Sequence, residues 1–147
     1  MSLENLIGTS LEKLEPDSAA IMRLLNAAER NIQDAHVNKV SNENRFDAAY
    51  KAIMQLANAA LQANGYRTLT SKPGHHMTMI QSLPLTIGLD SDTLVILDTL
   101  RKQRNVADYS GDIVSESAMQ ECLSRAEDLF HDVSEWIKTN KPDLLKE

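Results

Sequence analysis

From Glu43 to Asn64 the chain runs without a glycine or a proline and sets Phe46, Ala49, Ile53, Leu56, Ala57, Ala60 and Leu61 at helical spacing. Such a stretch has one regular structure open to it, an α-helix, because strands want β-branched and aromatic residues in alternation. An apolar stripe of this kind must then be covered by other elements, so it commits the neighbouring chain to a helical core. Gly65 follows it, where a left-handed C-cap belongs.

The rest of the sequence repeats the theme. Asp17 or Ser18 can cap a preceding helix with Ile21, Leu25, Ala28, Ile32 and Ala35 on one face. Val37 to Asn42 reads as its connection to the Glu43 helix. A short helix carrying Met79, Ile80 and Leu83 is expected after an irregular stretch from Tyr66 to Gly74, where Lys72-Pro73-Gly74 is the strongest turn signal. Pro84 and Gly88 disturb that short helix. Asp90 or Ser91 then caps a longer one that closes at Ser110-Gly111. Ser115 or Ser117 caps the last, with Met119, Leu123, Ala126, Phe130, Val133 and Ile137 inward, until Asn140-Lys141-Pro142 stops it. The expected fold is all-α: an antiparallel four-to-five-helix bundle spanning residues 17–140. Residues 1–16 read as an amphipathic arm, helical over 3–14 through Leu3, Leu6, Ile7, Leu11 and Leu14, and 141–147 as a tail.

Composition agrees and narrows the function classes. Apolar residues make up 42%, and only five glycines, four prolines and two phenylalanines are present, which favours helices. No apolar run approaches the roughly 18 residues of a bilayer span, and no leader pattern opens the chain. The single Cys122 excludes an internal disulfide and suits a reducing cytoplasm. A net charge of −6 argues against a general nucleic-acid coat. Yet no acid falls between Ala48 and Leu89, whereas Lys51, Arg67, Lys72, His75 and His76 do. This local positive zone suits one phosphate-bearing ligand, or else marks a buried alanine-rich helix.

For metal chemistry the sequence offers little. His75 and His76 are adjacent and lack partners at helical spacing, and His131 with Glu127 and Glu135 reads as an exposed ionic face. Neither a metal nor another cofactor is expected. Cys122 falls on an inward face as a small hydrophobe. The chemistry-bearing residues cluster instead in Arg101-Lys102-Gln103-Arg104-Asn105-Val106-Ala107-Asp108-Tyr109, which follows a plainly apolar run from Leu94 to Leu100. Arg104 lies in line with Leu97 and Leu100, so it points inward or into an interface and needs a partner, for which Asp108 at i+4 is the nearest choice. Arg104 and Tyr109 stand about 140° apart on an ideal helix, so they meet on one ligand only across two chains or in a loosened helix end.

Taken together, Gly65-Tyr66-Arg67, Gly74-His75-His76 and Arg104-Asn105-x-x-Asp108-Tyr109 resemble the HEPN superfamily of helical nucleotide-related domains, over approximately residues 20–138. The resemblance implies a helical bundle that dimerises. It further implies either a metal-independent ribonuclease, often a toxin with an antitoxin partner, or a non-catalytic subunit beside a nucleotidyltransferase. Catalytic members carry an Arg followed four to six residues later by His. Here Arg104 and Asn105 match that Arg and its polar neighbour, but Tyr109 stands where the His is expected. An unperturbed Tyr, near 10, rarely accepts a proton at neutral pH. His75 or His76 can supply the missing group if the short helix folds back against the Arg104 helix. The expected site is therefore Arg104, Asn105 and Tyr109 with His75 or His76, and Arg67, Lys72 and Arg101 as ligand contacts. Its expected partners are a nucleotide or single-stranded RNA, a nucleotidyltransferase or antitoxin, and a second copy of the chain. Ribonuclease, binding module and purely structural dimer remain the three readings.

Overall fold

The structure, a computed structural model, describes residues 2–69, 75–111 and 113–145, without the side chains of residues 108–110. It is an all-α bundle of four long and two short helices: α1 Ser18–Ala35, α2 Asn42–Ala63, α3 His75–Gln81, α4 Leu83–Thr86, α5 Ser91–Ser110 and α6 Glu116–Asn140. The long helices begin where short polar side chains satisfy the first free amides. Asp17 accepts from Ala19 N, Ser41 from Asn44 N, Asp90 from Thr93 N and Ser115 from Ala118 N. Two of them end beside glycines in the left-handed region, Gly65 at φ 89° after α2 and Gly111 at φ 72° after α5.

Helix α2 is the spine. Its expected inward residues are all buried, and so are Tyr50, Ala52, Met54, Ala59, Ala63 and even Arg45. The reason is that α2 is covered on several sides, by α1 and α6 above all and by α3, α4, α5 and the strand at 66–68 elsewhere. A one-sided stripe underestimates burial for a helix enclosed in this way. Arg45 is accommodated because its Nε donates to the Ala35 carbonyl at 2.7 Å, which satisfies the end of α1. On α6 the buried set is Met119, Cys122, Leu123, Ala126, Leu129, Val133 and Ile137, with Phe130 half-buried rather than central. On α1, Ile32 is likewise at the edge of the core. Among the described residues no helix is long and apolar enough to cross a membrane.

The N-terminal arm departs from its helical expectation. Only Glu4–Leu6 is helical, a single 3-10 turn, after which strand β1 (Leu11–Lys13) pairs antiparallel with β2 (Tyr66–Thr68). The register sets Leu11 opposite Thr68, Glu12 opposite Arg67 and Lys13 opposite Tyr66. Gly8, at φ 84°, lies between the turn and the strand, a conformation that a continuing right-handed helix does not contain. Of the five apolar residues that suggested a helix, Leu11 alone is fully buried. The stretch after Gly65 thus starts as a strand rather than as irregular chain, and the Lys72-Pro73-Gly74 turn lies outside the described residues. The tail is held as well: Pro142–Leu145 folds back so that the Ser18 hydroxyl donates to the Leu144 carbonyl at 2.8 Å.

Candidate functional site

Helix α3 does fold back against α5, and both rest on α2. That packing gathers side chains from three helices around one buried ring, Tyr50 of α2, which is 2% exposed. The Arg104 guanidinium of α5 stacks over this ring, its Cζ 5.3 Å from the centroid, within cation–π range. Its Nε also stands 3.8 Å from Asp47 Oδ1, one turn before Tyr50 on α2. From α3, His76 approaches the same tyrosine, Nδ1 lying 3.4 Å from the Tyr50 hydroxyl oxygen and the ring centroids 6.0 Å apart. His75 meets His76 edge to face at 4.9 Å and forms the exposed rim.

A second cation flanks the cluster. Arg101 is only 16% exposed, and its Nε donates to Asp98 Oδ1 at 2.9 Å, while Lys102 Nζ lies 3.4 Å from the other carboxylate oxygen. Burial of Asp98 works against its charge, but the hydrogen bond and charge of Arg101, helped by Lys102, hold its carboxyl below the usual range. Burial pushes the Tyr50 phenol up to about 12, although the nearby Arg104 and Arg101 charges oppose the shift. His76 moves the other way: burial first, then the charges of His75, Arg104 and Arg101, lower its pKa. The result is a neutral phenol and a neutral imidazole beside two permanent cations at physiological pH.

Several sequence expectations land here and others do not. Arg104, Arg101, His75 and His76 come together, and Asn105 is half-buried on the same helix. Arg104 reaches across to Asp47; the expected Arg104–Asp108 pair, the Tyr109 side chain and Lys72 lie outside the described residues. Arg67 is held in the β1–β2 ladder, where its Nε donates to Glu12. His131 is exposed, and Glu127 pairs with His36 at 3.3 Å. Among the described residues no group of three His, Cys, Asp or Glu side chains could hold a metal ion. Cys122 is fully buried with its thiol pushed up to about 12 by desolvation, then by the charges of Asp47 and Glu121, so it is no nucleophile.

Tyr50, Asp47 and Asp98 are the site residues that the sequence reading passes over. One signal for Tyr50 was available: a tyrosine within an alanine-rich buried helix must find a partner for its hydroxyl. Asp47, three residues earlier, shares its face.

Beside this cluster, on the other flank of α5, an open groove of about 420 Å³ separates α5 from the start of α6. Phe46 lies at its base, and Val106 and Ile113, 58% and 85% exposed, stand along it with Lys102. None of the known family models matches the chain, and no curated protein is significantly similar to it.

Proposed function

We propose that this chain is a HEPN-like helical module that binds the phosphate of a nucleotide or of single-stranded RNA at the Arg104–Tyr50–His76 cluster. The observation that carries the reading is the meeting of Arg104 and His76 on one buried tyrosine. A stacked guanidinium keeps its planar fork of donors in a fixed orientation, the geometry that suits an oxyanion. Arg101 adds positive potential while its own position is fixed by Asp98. In the resemblance that motivates the family reading, Gly74-His75-His76 and Arg104-Asn105 are separate motifs; the meeting of His76 and Arg104 at Tyr50 supports a common purpose for them. Binding of inorganic phosphate, AMP and ATP by calorimetry tests it. Measurable affinity at low salt that weakens as salt rises is expected, with at least about a tenfold loss in Arg104→Ala. No heat with any of the three, and no thermal stabilisation, overturns the phosphate site.

The same pair favours one alternative, a metal-independent ribonuclease, because a neutral imidazole beside an arginine is equipped for proton transfer. Metal-free cleavage of single-stranded RNA that disappears in both His76→Ala and Arg104→Ala would establish it; intact RNA at high protein concentration excludes it. A homodimer belongs to the proposal too. The apolar groove along α5 supports it, with a second copy covering Val106 and Ile113, whereas docking of a nucleotidyltransferase or antitoxin rests on the resemblance alone.

A further inference from the structure

The imidazole of His76 is useful to a ligand only through whichever of its two nitrogens is turned away from the protein, and the structure bears on what that nitrogen carries. Nδ1 faces the Tyr50 hydroxyl. Nε2, on the far side of the ring, therefore turns away from Tyr50. A neutral imidazole holds one proton, and the partner of one nitrogen decides whether the other is a donor or an acceptor. If Nδ1 accepts, Nε2 carries the proton and donates; if Nδ1 donates, Nε2 offers a lone pair and can act as a base.

Two features decide between these states. A phenol donates its proton readily, and this one remains a phenol across the physiological range because burial disfavours its ionised form. The Arg104 guanidinium lies over the same ring that Nδ1 approaches, and Arg101 contributes its charge from the same helix. A ring nitrogen that meets the phenol beneath a guanidinium is better left with its lone pair than with a partial positive N–H. The other titratable groups of this neighbourhood are His75 on α3, Asp98 and Lys102 on α5 and Asp47 on α2; both carboxylates are engaged with arginines.

We propose that Tyr50 is a positioning residue: its hydroxyl donates to His76 Nδ1, fixes the proton on Nε2, and presents His76 as a hydrogen-bond donor to the oxyanion bound at Arg104. The ligand half of this inference rests on the phosphate-binding reading; the tautomer half does not. It deepens that reading by giving the bound phosphate a neutral donor beside the Arg104 guanidinium, in place of a base that takes a proton from a ribose hydroxyl. At 3.4 Å the phenol–imidazole contact is longer than the ~2.8 Å of a strong bond to a hydroxyl, so an anion drawing on Nε2–H is expected to tighten it.

The test is a two-bond proton–nitrogen correlation spectrum of the ¹⁵N-labelled full-length chain near neutral pH, with His76 assigned among the four histidines by a His76→Gln variant. The expected wild-type pattern is that of the Nε2–H tautomer. Tyr50→Phe keeps the ring and its packing but removes the donor, so His76 should shift towards a mixture of tautomers, and affinity for inorganic phosphate should fall about three- to tenfold. A wild-type Nδ1–H pattern, or a His76 spectrum unchanged in Tyr50→Phe, overturns the proposal. The wild-type spectrum alone decides the point if the variant folds poorly. Should the tautomer be as stated while phosphate binds to neither protein, Tyr50 keeps its positioning role and the phosphate-binding reading falls.

Discussion

A tyrosine at 2% exposure beneath an arginine ties the electrostatics of the site to the stability of the fold. With its pKa raised from 10.0 to about 12, Tyr50 stays protonated in the folded chain while the unfolded chain ionises near 10. Stability from this group is thus fully present below about pH 10 and is lost as pH climbs towards about 12, by at most roughly 3 kcal/mol. Tyr50→Phe should flatten that alkaline fall in a denaturant series, and one of the three tyrosines should ionise late in an ultraviolet titration. His76 gives the opposite limb. Because its folded pKa lies below the ordinary value, the unfolded chain takes up the proton first, and stability drops as pH falls below about 6.5. His76→Gln should be less acid-sensitive than wild type; equal slopes in the two proteins would place the acid loss elsewhere. At this scale the sequence revealed the arginines and histidines through their motifs. It did not reveal Tyr50 or Asp47, since nothing in a linear pattern says which α2 residue faces an α5 side chain far along the chain.

Single elements explain where the linear reading failed. Leu3, Leu6, Ile7, Leu11 and Leu14 satisfy helical spacing, but spacing cannot weigh the partner that a strand gains by pairing. Here β2 offers that partner, with Thr68 buried opposite the fully buried Leu11. Leu11→Ala should therefore act as a core mutation despite its place in an N-terminal arm, costing about 2–5 kcal/mol in urea unfolding. A cost near zero would mean that the arm adds nothing to the bundle. By contrast the starts of α1, α5 and α6 were legible, because a capping side chain is a local device and needs no tertiary knowledge. Ser115→Ala removes the acceptor for Ala118 N at 3.1 Å and should cost about 1 kcal/mol, readable by thermal unfolding. A single short helix through Leu83 was legible, but the chain forms two, α3 ending at Gln81 and α4 starting at Leu83 with Pro84 tolerated in its first turn, and their placement against α5 follows only from the tertiary packing.

The whole molecule is organised by how closely its helices approach α2. Ala49, Ala52, Ala57, Ala59, Ala60 and Ala63 are each at most 1% exposed, and small side chains at such positions let neighbouring backbones come near. Much of the acid-free stretch from Ala48 to Leu89 is interior of the bundle along α2, which supports the structural reading of that gap, while Tyr50, His75 and His76 within it belong to the cationic cluster. The candidate site and the core are coupled through this spine: Asp47 and Tyr50 are set on the same helix that α1 and α6 enclose. Enlarging an alanine should then disturb both. Ala57→Leu adds volume to a fully buried position and should destabilise the chain by about 1–3 kcal/mol through displaced side chains and backbone. If α2 shifts as one rod, as close packing requires, the same substitution should also move the His76 ring resonances two helical turns away. A destabilised variant with an unchanged His76 spectrum would show instead that the first turns of α2, around Asp47 and Tyr50, yield independently of its centre.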